Sequence, residues 1–187
     1  MPIIIKEPSE TFRNSVVTGS RQAKSVASMT KEDVGTALTP HQIYTIDEDR
    51  LAAGATIADA RLIGWRVFHA DDRDAVIESY CTENDDGHQF GGVNRGPYVA
   101  GTRSALAAAK ALPEAAEQDF EVRLLRLHAL HFTALWLHGS TSETDILIPI
   151  APIFSGHNAG QPYPAAPLLN DLRGLAQELI VSEQGRQ

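Results

Sequence analysis

The clearest hydrophobic pattern in the chain covers residues 119–138. Phe120, Val122 and Leu124 alternate with Glu121 and Arg123, the period-two signature of a strand with one buried face. The alternation slips at Leu124–Leu125 and resumes with Leu125 and Leu127 against Arg126 and His128, which predicts a β-bulge. Phe132, Ala134 and Trp136 then alternate with Thr133, Leu135 and Leu137. Residues 119–138 therefore read as one long strand that bends, followed by a turn over 139–144 and a partner strand over 145–150. Pro149 places that partner at an edge or a bulge, because proline cannot donate to the ladder.

Upstream, the aromatic and β-branched run 61–68 reads as a strand, and 75–81 as its return across a polar turn at 69–73. Ile43, Tyr44 and Ile46 make a short strand-like piece. Asp47, Glu48 and Asp49 then open a short helix that Gly54 ends. Residues 82–97 are polar and glycine-rich and read as a loop. The alanine-rich stretch 103–112 predicts a helix opening at Gly101 or Thr102 and ending at Pro113. Four prolines and two glycines send residues 151–167 over the surface. Leu168, Leu172, Leu175 and Leu179 then fall at near-helical spacing, a C-terminal amphipathic helix over 167–180.

This order predicts an α+β fold. Its expected parts are an antiparallel sheet of about four strands with a bent long strand, one helix packed on one face, an extended N-terminal arm and a C-terminal helix. The expected divisions are a basic, Ser/Thr-rich arm at 1–31, a connecting segment with a short helix at 32–60, and a single α+β domain at 61–187.

Charge changes the picture at one place. The arm carries Lys6, Arg13, Arg21, Lys24 and Lys31 against Glu7 and Glu10, a balance of +3. Within a chain total of −8, that leaves −11 for residues 32–187. An acidic body repels phosphates, which argues against nucleic-acid binding by the folded part and leaves only the arm for such contact. The single cysteine, Cys81, excludes an intramolecular disulfide and a thiolate metal cluster within one chain. Glu83, Asp85 and Asp86 beside it raise a thiol pKa, so it reads as a strand residue rather than a nucleophile. No apolar run approaches the roughly 20 residues needed to span a bilayer. The start lacks a signal-peptide pattern, so the expected location is the cytoplasm, without membrane insertion.

Candidate chemistry is thin. His128 and His131 lie on opposite strand parities, so the series His128, His131 and His138 does not converge on a metal, and no metal or cofactor is expected. Glu83, Asp85, Asp86 and His88 lack the ordered acids of a calcium loop and read as a solvated turn. Residues 91–97 run into the helix, where backbone amides beside Arg95, Thr102 and Arg103 form a candidate site for a carboxylate or phosphate. An acid–base pair drawn from Glu78, Tyr80, His128 and His131 in a sheet-lined cup is a further arrangement, with no spacing that selects it. Glu121 and Arg123 read as surface cross-strand pairing.

Two functions follow as expectations. In the first, the chain is a non-enzymatic interaction or assembly subunit, a homo-oligomer or the partner of an acidic protein surface, on which the arm residues Lys6, Arg13, Arg21, Lys24 and Lys31 dock. In the alternative, it is a small-ligand-binding or acid–base enzyme domain with a pocket between sheet and helix near Arg95 and Arg103.

Overall fold

The computed structural model describes residues 3–22, 38–69, 75–81, 87–94, 96–113 and 118–185. The class is α+β. The strands are β1 (Ile3–Ile4), β2 (Leu38–Thr45), β3 (Arg61–His69), β4 (Ala75–Cys81), β5 (His88–Asn94), β6 (Phe120–Leu127), β7 (Phe132–His138), β8 (Ile146–Pro149) and β9 (Tyr163–Pro164). The helices are α1 (Glu10–Gln22), α2 (Glu48–Ala52), α3 (Pro97–Lys110) and α4 (Ala165–Gln184).

All nine strands join one sheet in the order β5-β4-β3-β2-β6-β7-β8-β9, with β1 also paired to β6. This corrects the expected antiparallel sheet of about four strands. Two antiparallel meanders, β2 to β5 and β6 to β9, meet along a parallel seam where Gln42, Ile43 and Tyr44 pair with Arg123, Leu124 and Leu125. β1 pairs in parallel with Phe120 and Glu121 on the same strand, end to end with β2. The seam strand β2 lies inside the segment expected to be a connection. Its Pro40 sits opposite Val67 of β3.

The bent long strand is corrected as well. Residues 120–138 form a hairpin, β6 and β7, turning at 128–131 with His131 in the left-handed region at φ 47°. No bulge occurs at Leu124–Leu125, since β6 pairs with β7 in unbroken register from Glu121–His138 to Leu127–Phe132. The apparent slip has another cause: both faces of β6 are covered. Phe120, Val122 and Leu124 pack with Ala105 and Ala109 of α3, while Leu125 and Leu127 pack with Leu168, Leu169 and Leu172 of α4. A strand buried on both faces loses clean alternation.

Helices therefore cover both faces, not one. α3 lies on the first, starting earlier than expected because Pro97 occupies its first turn, where its missing N–H costs nothing. Its Gly101 has a packing reason, since a Cβ there would meet the Ala151 carbonyl oxygen at 2.6 Å. The second face carries α4 and α1. α4 is tied to α2 by Arg173, whose Nε donates to the Leu51 carbonyl at 3.2 Å.

The expected extended arm is also corrected over its described part. Phe12, Val16 and Val17 of α1 are buried against Trp65 and Val67 of β3, on the same face as α4. That i, i+4, i+5 spacing makes an apolar stripe despite a Ser/Thr-rich composition. Each such buried side chain contributes roughly 1.5–3 kcal/mol. β5 occupies part of the expected loop 82–97, with Phe90 packed against the α1 cluster. Among the described residues, no helix is long and apolar enough to cross a membrane.

Candidate functional site

α1 covers β3 and its neighbours, and α4 covers the Leu125/Ala134/Leu147 end of the second meander. Between them, near the amino end of β6, a window of polar side chains interrupts the apolar face, with Gln42 and Trp136 buried and Tyr44, Glu121 and Arg123 half-buried. Strand register fixes its members on one face: Gln42 pairs with Arg123, Arg123 with Trp136, and Glu121 with His138. Tyr44 stands two residues beyond Gln42 on the same strand and face.

Arg123 is the centre. Its guanidinium lies over two rings, 5.1 Å from the centre of Tyr44 and 4.9 Å from that of Trp136. The rings themselves meet edge-on at 5.2 Å. Stacking of this kind immobilises the side chain and favours arginine over lysine. The Arg123 Nε donates to Glu121 Oε1 at 2.9 Å. Burial, the largest single influence, would on its own raise the Glu121 carboxyl, and the Arg123 hydrogen bond opposes it. With the charges of Arg123, Lys6 and His138 added, the pKa of Glu121 falls below its ordinary value. The Tyr44 hydroxyl donates to Gln42 Oε1 at 3.2 Å.

Beside Trp136, with ring centres 5.4 Å apart, stands His138. Its Nδ1 is 3.0 Å from Oδ1 of Asp145, whose side chain is 0 % exposed. The same oxygen accepts the Gly139 N–H at 2.9 Å, which locks the carboxylate across the 139–145 turn. A carboxylate only accepts, so the Nδ1 proton faces Asp145 and Nε2 is the end of the ring that can take or give a proton. The His138 side chain remains about one-third exposed. Orientation by a buried carboxylate is the arrangement that general acid–base histidines need.

The positions singled out from sequence fall elsewhere. Thr102 is fully buried; its hydroxyl donates to the Tyr98 carbonyl at 2.7 Å and accepts from Arg66 Nη2 at 3.1 Å. Arg103 follows it on the exposed side of α3, so the two diverge, and Arg95 lies outside the described residues. Lys6 is exposed near Glu121, and Arg13 pairs with Glu7 at 2.6 Å. Lys24 and Lys31 lie outside the described residues, as does the side chain of Arg21. His128 and His131 sit in the exposed β6–β7 turn, away from His138 at the far end of β7. For Glu78, Tyr80 and Cys81 only the backbone is described. No group of three metal-ligating side chains occurs among the described residues.

Sequence reasoning missed Gln42, Tyr44, Trp136 and Asp145. The available signal was parity. Once 120–138 is a hairpin, Glu121, Arg123, Trp136 and His138 share one face, so charged groups interrupt an otherwise apolar surface. No protein-family model, curated protein or solved structure matches the chain.

Proposed function

We propose that this protein is a small-ligand-binding domain with acid–base capability, acting at the window around Arg123 and His138. The observation that carries the reading is the His138 Nδ1 contact of 3.0 Å to the buried Asp145 carboxylate. The Asp145 carboxylate, itself held by the Gly139 N–H, fixes the imidazole by one nitrogen, as general acid–base histidines require. Arg123, clamped by two rings and one carboxylate, supplies a fixed cation for a ligand's negative or carbonyl oxygen. In this reading the ligand lies against Arg123, which itself covers Tyr44 and Trp136, and His138 Nε2 exchanges a proton with it.

In the assembly reading the arm residues Lys6, Arg13, Arg21, Lys24 and Lys31 dock on an acidic neighbour, while Phe12, Val16 and Val17 of the same arm pack on their own sheet. That reading remains the second proposal, tested by light-scattering mass of the intact chain.

The primary test is incubation of the protein with a small-molecule extract, followed by mass spectrometry. Wild type is expected to deplete or retain at least one metabolite, and turnover should fall about 100-fold or more in His138→Gln, in line with loss of a positioned acid–base group. Asp145→Asn should act in the same direction with less effect. Identical profiles for wild type and His138→Gln would sink the acid–base assignment; loss of retention in Arg123→Gln alone would leave a pure binding domain.

A further inference from the structure

A second feature lies at the opposite end of β6 from the window. β2 and β6 are parallel neighbours, and their chains leave in opposite directions, β2 towards β3 and β6 towards β7. Parallel strands whose exits diverge leave a crevice outside their carboxyl ends, because neither connection covers the seam. A cavity of about 430 Å³ occupies that place, lined from β2 onward by residues 45–49 and from β6 onward by residues 127–130. Its size is within the usual range for metabolite pockets, roughly 300–1,000 Å³.

Burial sorts the lining into floor and rim. Ile46, Leu51 and Leu127 are buried and apolar, with Ile63 half-buried beside them. Asp47, Glu48, Asp49 and Arg61 form the more exposed rim. Arg61 is already committed, its Nη2 donating to Asp47 Oδ1 at 2.9 Å. Glu48 and Asp49 therefore leave the rim with an excess of negative charge above an apolar floor. Cavity and strand topology carry the site; the rim charge selects the head group.

We infer that the crevice at the carboxyl ends of β2 and β6 is a binding site for a small ligand with an aliphatic body and a cationic amine. The body rests on Ile46, Leu51 and Leu127, and the ammonium group lies against Glu48 and Asp49. The site is separate from the His138 window and does not depend on it.

Three probes of matched length decide the matter: n-hexylammonium, hexanol and hexanoate, titrated into the full chain at constant ionic strength and followed by amide ¹H–¹⁵N spectra. Saturable shifts clustered at residues 45–49 and 127–130 are expected with n-hexylammonium, at an affinity at least about ten-fold above that for hexanoate. Glu48→Gln with Asp49→Asn should erase most of that preference while keeping hexanol binding. Ala129→Trp, a substitution in the half-exposed turn, should fill the cavity and abolish all three; His138→Gln should leave them unchanged. Equal or tighter binding of hexanoate, shifts scattered over the acidic surface, or n-hexylammonium binding undiminished in Ala129→Trp would each overturn the proposal. Should Ala129→Trp fail to fold, the double charge variant and the three-probe order still decide.

Discussion

His41 is enclosed completely, 0 % exposed, and neither ring nitrogen has a hydrogen-bond partner among the described residues. It faces the buried Arg66 across β2 and β3, and Arg66 in turn donates to Thr102 on α3. Burial first, and the Arg66 charge second, lower its pKa from 6.5 to about 3. A group whose folded pKa is depressed holds its full contribution above the unfolded value and loses it as pH falls. The loss therefore runs from about pH 6.5 down towards pH 3, at up to about 1.4 kcal/mol per pH unit. Carboxylates with lowered pKa, such as Asp47 and Glu121, begin to act only below their own ordinary range near 4. Urea midpoints should therefore already decline between pH 6.5 and 5, and His41→Leu should flatten that limb while sparing the decline below pH 4. An unchanged slope in His41→Leu would show that His41 can charge in place. Nothing in the sequence marked this residue, because burial of a histidine depends on which strand becomes central.

At the scale of elements, the helices following the strongest signals were legible and those resting on tertiary contact were not. α4 was readable from Leu168 and Leu172, and the α3 body from its alanines, since both signals are local. The β3–β4 hairpin was readable for the same reason. α1 was not, because its helix is fixed by Phe12 and Val16 docking on Trp65, more than forty positions away in the sequence. Phe12→Ala should therefore cost about 3–5 kcal/mol, the usual range for removing a buried phenylalanine, where a dangling arm would give almost nothing. Chemical denaturation of that variant checks it. Gly101→Val tests the α3 contact: with the Ala151 backbone at 2.6 Å from a Cβ and no flexible side chain to yield, the helix must shift and stability should drop by about 1–3 kcal/mol. The window was half legible. Glu121 and Arg123 stood out as charged positions on an apolar strand, but their neighbours Gln42 and Tyr44 arrive through the seam, which no local pattern encodes.

For the whole molecule, the sheet is two halves that are each contiguous in sequence. β2 to β5 pair with sequence neighbours, as do β6 to β9, and among the described residues the two halves of the sheet meet at β6, along β2 and β1. The seam is covered on the first face by α3, whose Ala105 and Ala109 pack with Ile43 of one half and Leu124 and Leu135 of the other. Sequence patterns reached the β3–β4 hairpin but not the seam, which joins positions some eighty residues apart, Gln42 with Arg123. Both candidate sites sit along it, the window towards its amino end and the crevice at its carboxyl end.

That seam has a consequence for how the protein comes off the ribosome. The first meander is complete in sequence before β6 has been made, and until then the inner edge of β2 carries unpaired N–H and C=O groups beside the apolar Ile43. An open edge of that kind recruits other strands, including those of sister chains. A nascent chain halted before residue 120 should thus be sticky and chaperone-dependent, and should become protease-resistant only when the β6–β7 hairpin emerges to close it. Supplying residues 118–187 in trans should rescue the halted fragment, making the protein a natural candidate for a split reporter.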